Sequence, residues 1–168
     1  MSGPTVYAYV AGNPLAFIDP LGMDIAVAVG MQRTDSYNIA GHVADAVTGG
    51  GVFSFGTGTP LGSSFADYLN SQSEYRGQVV YDIKTTPEQD AAALAYLRSQ
   101  KDDIGKLDNC AFRTYQSLRA AHVRIGEPVA PTPAALQQVL NALVAQGLAT
   151  AAYIPINGQI PDVSGCNP

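Results

Sequence analysis

A chain of 168 residues with a net charge of −5 is enough for one ordinary domain with a real core and short for two. Its 46% apolar and 14% charged residues, with 17 glycines and 11 prolines, describe a turn-rich globular protein and exclude a disordered one. The acidic balance argues against nucleic acid as a partner, and no apolar run approaches the roughly 20 residues that span a bilayer.

The first stretch, VYAYVAGNPLAFIDPLGM (Val6 to Met23), reads as a strand followed by two turns, because Asn13-Pro14 and Asp19-Pro20 both favour turn initiation. Alone it buries nothing, and it reads as the end of a larger structure. The N-terminus lacks the basic-then-apolar layout of a signal peptide. From Asp24 onward the pattern is that of a separate domain, residues 24–168. Strands are expected at Ile25 to Val29 and through NIAGHVADAV (Asn38 to Val47). Thr48 to Gly51 supply a turn, and VFSFG (Val52 to Gly56) completes a hairpin. GTGTPLGSSF (Gly56 to Phe65) reads as an ordinary connection, and GSSFADYLNSQS as a short helix or an irregular flap. QVVYDIKT alternates, with Val79, Tyr81 and Ile83 on one face against Val80 and Asp82 on the other, which predicts a strand.

Helix signals follow. Thr86, Pro87 and Gln89 form a capping box with the favoured early proline, and the helix they open runs to about Gln100. Asp108 or Asn109 caps a second helix that starts at Cys110 and carries Phe112, Tyr115 and Leu118. Thr132 and Pro133 open a third, which Gly147 stops. The C-terminal AAYIPINGQIPDVSGCNP is expected to be extended and turn-rich. The class is α+β, with a small antiparallel sheet against about three helices, strands early and helices late.

The candidate chemistry rests on Cys110. Two cysteines, Cys110 and Cys166, permit one disulfide but no disulfide scaffold, and Cys166 near the C-terminus lies where chains fray. With no CxxC and only His42 and His122, the sequence carries no structural zinc signature, and it implies no cofactor. Gly56 to Phe65 lacks the GK[ST] ending of a phosphate loop. Three roles stand open for Cys110: nucleophile, half of a disulfide, or small buried residue. A nucleophile needs thiolate character, and a helix start together with a nearby imidazole supplies it. His122, twelve residues along the same helix, is roughly 18 Å away and is expected to be structural. His42, in a strand beside Gly41, is the expected partner, and Gly41 leaves room for a substrate. Asp45, three residues on, is expected on the opposite face of the strand.

Two resemblances add to this reading. Val6 to Met23 resembles the end of the core of Rhs and YD-repeat proteins, where Y-x-Y-x-x-x-N-P leads into P-x-x-x-x-D-P-x-G-L. Pro14, Asp19, Pro20 and Gly22 match, and Met23 stands where leucine is usual. The resemblance implies a toxin carried behind a repeat core and delivered into a target bacterium, acting in the periplasm or cytoplasm. It implies a secretion apparatus reached through that core and a cognate immunity protein as partner. In the family the matching Asp takes part in self-cleavage with a carboxylate of the core. In this chain alone Asp19 reads as a plain Asp-Pro turn.

The second resemblance covers Asn38 to Val123. GHVADAV, VFSFG and NCAFRTYQSL, with the histidine preceding the cysteine, are similar to the circularly permuted branch of the NlpC/P60 papain-like cysteine hydrolases. It implies a permuted papain-like fold with Cys110 as nucleophile and His42 as base. A third polar residue about twelve positions after the histidine would orient the ring, which is Ser54 here, and the Cys110 N–H would serve as oxyanion donor. The expected function is an antibacterial cysteine amidase or peptidase acting on peptidoglycan peptides. A lipid acyltransferase or phospholipase, a protein deamidase with the same dyad, and a non-enzymatic binding tip are the alternatives.

Overall fold

A computed structural model describes residues 24–33, 41–105 and 108–168. Val6 to Met23, with Pro14, Asp19, Pro20 and Gly22, lie outside the described residues, as do residues 38–40 of the expected second strand.

Five antiparallel strands form one sheet: β1 (Asp24–Gly30), β2 (His42–Val47), β3 (Gly51–Phe53), β4 (Gln78–Lys84) and β5 (Ala149–Ile154), in the order β3-β2-β1-β4-β5. All seven residues of β1 are buried, because both faces of the sheet are covered. Ile25, Val27 and Val29 join one core with α2 (Pro87–Ser99), α3 (Cys110–Ala120) and α4 (Pro133–Ala145). Ala26 and Ala28 join a second with α1 (Phe65–Ser73) and a 3₁₀ turn at Ser164–Cys166. The two-residue period of a strand produces this division, and β4 obeys it as its sequence predicts: Tyr81 and Ile83 face the helix-rich core and Val80 the other. The faces differ in bulk. Ala26, Ala28, Ala44 and Ala46 leave space for Phe65, Tyr68 and Leu69 of α1 to pack onto the sheet.

The helices begin where their caps predict. Thr86 Oγ1 accepts the Gln89 N–H at 3.3 Å while Gln89 Oε1 accepts the Thr86 N–H at 3.0 Å, a complete capping box. Thr132 accepts the Ala135 N–H at 3.2 Å, and Gly147, with φ of +72°, lies just past the end of α4. Ser64 accepts the Asp67 N–H at 3.1 Å and opens α1, so GSSFADYLNSQS is a helix rather than a flap.

One expectation of order fails. β5 follows the last helix and pairs with β4 from Gln78↔Ile154 to Ile83↔Ala149, so strands are not confined to the early part of the chain. Its sequence ATAAYI is alanine-rich with no alternation, and its strand state comes from pairing with β4 rather than from local preference. The α+β class stands, with a five-stranded antiparallel sheet and four α-helices among the described residues. No helix among those residues is long and apolar enough to cross a membrane.

Candidate active site

Local chemistry fixes the start of α3. Asn109, not Asp108, is the cap: its Oδ1 accepts the Phe112 N–H at 3.1 Å and its Nδ2 donates to the Pro131 carbonyl at 2.7 Å. Asp108 instead forms a bidentate pair with Arg113, Nε to Oδ1 at 2.9 Å and Nη2 to Oδ2 at 2.8 Å. The buried Arg113 also donates to the carbonyls of Lys101 and Asp103, and its guanidinium lies 4.8 Å from the Phe55 ring centroid. A planar fork with five donors thus ties the preceding loop to the helix and sets the position of Cys110 at its first residue.

The start of β2 is set with equal care. Gly41 has φ of +73°, and a Cβ there would lie 2.5 Å from the Gly30 carbonyl oxygen. The space expected at Gly41 for a substrate is therefore filled by the neighbouring strand. His42 follows, and its Nε2 lies 2.9 Å from Ser54 Oγ. Ser54 is fully buried, its Oγ lies 2.9 Å from Thr57 Oγ1, and the Tyr68 phenol of α1 also hydrogen-bonds it. Ser54 is the position at which the family resemblance implies a polar residue after the histidine.

Cys110 meets the same strand from the α3 side. The β2–β3 register stops at Asp45↔Phe53, leaving Val43 beyond the ladder on that side. The amide of Val43 favours the ionised form of the Cys110 sulfur, as do those of Ala111 and of Cys110 itself. The last two belong to the first turn of α3, where N–H groups have no carbonyl one turn back. The sulfur thus addresses the peptide next to His42, and the Tyr68 phenol senses both Ser54 and the Cys110 charge. His42, Ser54 and Tyr68 form one hydrogen-bonded group, and Cys110, a member of the α3-side core, meets the same strand at the amide of Val43.

The protonation states differ from the expected ones. Burial pushes the Cys110 thiol up from its ordinary value, against the pull of those amides, with the Asp45 charge adding to the rise. Burial, with the nearby Arg76 charge, lowers His42 to about 4. Cys110 is 8% exposed and His42 7%, so desolvation outweighs the helix start. At neutral pH the thiol and the imidazole are thus both uncharged, and no thiolate is preformed.

Other candidates are placed elsewhere. His122 lies just beyond the far end of α3, exposed, with φ of 55° and its N–H on the Arg119 carbonyl. Cys166 is free, like Cys110, and is buried in the α1-side core rather than frayed. The disulfide alternative for Cys110 therefore has no bond in this structure. Asp45 takes the face opposite His42, as alternation predicts, and that face is the one Cys110 and α3 occupy. A cavity of about 450 Å³ lined by Phe112, Tyr115, Pro128 and Val129 borders the side of α3 turned away from Cys110. Another of about 320 Å³ lies by Lys84, His122 and Arg124. Among the described residues no group of three His, Cys, Asp or Glu is placed to hold a metal ion.

Sequence reasoning missed Tyr68 and Thr57. Tyr68 reads as one more core aromatic, and only its spacing from the Ser64 cap marks the face it takes on α1. Thr57 sits in a glycine-rich connection with no periodic signal. Compared with protein-family models, with curated proteins and with solved structures, the chain matches none.

Proposed function

We propose that the domain is a cysteine hydrolase of permuted papain-like type, with Cys110 as nucleophile, His42 as general base and Ser54 as the residue that orients the ring. The observation that carries this reading is the 2.9 Å contact from Ser54 Oγ to His42 Nε2, beside a cysteine that opens a helix against the next peptide. Since Nε2 is engaged by Ser54, Nδ1 is the nitrogen that exchanges the proton with sulfur.

The reaction starts from two neutral groups. His42 takes the thiol proton as sulfur attacks a carbonyl carbon, so charge develops only along the reaction path. The N–H groups at the start of α3 receive the developing oxyanion. The imidazolium then gives its proton to the leaving amine. Water, deprotonated by His42, cleaves the thioester and restores the thiol. A base whose pKa is about 4 stays unprotonated at neutral pH and is ready to accept.

The substrate class is an amide of peptidoglycan stem peptides, and the setting is a toxin delivered behind an Rhs core, with an immunity protein covering the site. The segment Val6 to Met23 supports the setting, and the order histidine before cysteine supports the chemistry. Purified sacculi treated with the wild-type domain should release peptide fragments, and the Cys110→Ala protein should release none. Equal release from both, or none from either, removes the reading.

A further inference from the structure

Beneath α3 lies an acid that the proposed reaction does not use. Asp45, in the middle of β2, is 1% exposed and points at α3, with Val27 of β1 and Phe53 of β3 beside it in register. Its Oδ2 lies 2.9 Å from Ser117 Oγ, the Thr114 side chain also bonds the carboxyl, and its Oδ1 has no hydrogen-bond partner. Among the described residues the titratable groups that sense it are the Cys110 thiol of α3 and the Tyr96 phenol of α2. Neither is a cation. The Arg113 guanidinium of α3 is taken by Asp108 and two carbonyls.

Counting protons identifies the form this acid takes. Ser117 Oγ lies 2.9 Å from Asp45 Oδ2 and also 2.9 Å from the Thr114 carbonyl oxygen. The Thr114 carbonyl also has its helix partner, so the Ser117 hydrogen can serve either neighbour, but an ionised Asp45 would leave Oδ1 a buried anionic oxygen without a partner. With a proton on Oδ2 the chain closes: Asp45 donates to Ser117, and Ser117 donates to the Thr114 carbonyl. The partnerless Oδ1 is then a carbonyl oxygen rather than half of a buried anion, which costs far less.

We propose that Asp45 works as a neutral carboxylic acid, a positioning residue that seats α3 on β2 and keeps negative charge away from the Cys110 sulfur. Burial, against its hydrogen bonds with Thr114 and Ser117, raises its pKa to about 7, in line with that geometry. Ionisation above neutrality breaks the donor chain to Ser117 and raises the thiol further. The consequence for catalysis rests on Cys110 being the nucleophile, whereas the protonation of Asp45 and the reactivity of the thiol do not.

Two measurements on the folded protein test this without any substrate. Carbon-13 NMR of the Asp45 side chain should titrate near neutrality in the wild type. Iodoacetamide labelling of Cys110, followed by peptide mass, should run at equal rates in wild type and Asp45→Asn near pH 6. Near pH 9 the variant should label about tenfold faster, the effect of removing one nearby charge worth about one pK unit. A merely structural Asp45 would not make that ratio depend on pH. An Asp45 midpoint near the ordinary value of about 3.9 overturns the proposal, as do equal labelling rates at both pH values. Should Asp45→Asn fail to fold, the wild-type titration still decides. Failure of sacculus digestion would count against the hydrolase reading and leave both measurements untouched.

Discussion

Cys110 and Cys166 lie in the two cores that flank one sheet, both free and both buried, and their surroundings oppose each other. Around Cys110 the amides of Val43, Ala111 and Cys110 favour the thiolate, and an imidazole occupies the residue next to Val43. Around Cys166 burial dominates, and Asp82, Asp24 and Asp90 add negative charge, so its pKa is pushed up to about 12. Cys166 closes a 3₁₀ turn, and the next residue, Asn167, accepts the Phe65 N–H at 2.8 Å and so caps α1. Burial alone therefore yields an inert structural thiol. The Ala26 amide also favours the Cys166 thiolate, but three amides do so at Cys110, two of them from the first turn of α3.

The largest expected effect breaks or confirms this contrast directly. At about pH 8, iodoacetamide should label Cys110 of the folded protein faster than Cys166, because a thiol titrating near 12 is almost wholly protonated there. Peptide mass analysis over time reads both sites in one sample. Comparable rates would mean that the amides at the helix start do not distinguish the two sulfurs.

Next in size is the way stability depends on pH. His42 and Asp45 of β2 both change protonation on folding, in opposite senses. His42 falls from 6.5 to about 4, so it stabilises the fold above its unfolded pKa, and that contribution is lost as pH falls from about 6.5 toward 4. At 1.36 kcal/mol per pK unit it amounts to about 3 kcal/mol. Asp45 rises from 3.8 to about 7, so its contribution is complete below about 3.8 and is lost as pH rises through 7, about 4 kcal/mol in all. Between about pH 4 and 6.5 the two slopes oppose, and wild-type stability should be nearly flat. Asp45→Asn should show stability rising with pH across that window, and His42→Gln should show it falling. Urea denaturation at several pH values measures each slope, and Cys166→Ala should leave both in place. Identical profiles for the two variants would show that the groups beside Cys110 are not those that titrate on folding.

How much of this contrast the sequence makes legible depends on whether the determinant is local. The capping box of Thr86 and Gln89 and the alternation of β4 are short-range and are read correctly from neighbouring residues, while the cap of α3 is narrowed only to Asp108 or Asn109. β5 is not legible because ATAAYI has no pattern of its own. The pairing of His42 with Ser54 is legible only through a family's spacing. Protonation states are not legible at all. A helix start predicts a low thiol pKa, and whether burial overrides it depends on how closely β2, β3 and α1 pack around one atom. Asp45 shows the same limit: alternation places it correctly, but the meaning of that face depends on α3, which comes much later in the chain.

The smallest effect sharpens the comparison most. Ser54 bonds the His42 ring, on the strand that Cys110 meets at Val43. Ser54→Ala removes the Nε2 partner while leaving the ring and the thiol in place. Under the proposed reaction kcat should fall about tenfold with KM unchanged, the usual size of an orienting bond to a catalytic ring. Thr57 and Tyr68, which also contact Ser54 Oγ, would lose the same partner, so a change in fold must be separated from a change in orientation. Ser54→Thr keeps the hydroxyl and should recover much of the rate if orientation is the cause, since packing alone would penalise the added methyl. Labelling of Cys166 provides the internal control. If Ser54→Ala raises it, α1 and the Asn167 contact at its first turn have loosened, and the loss of rate reports packing rather than the imidazole.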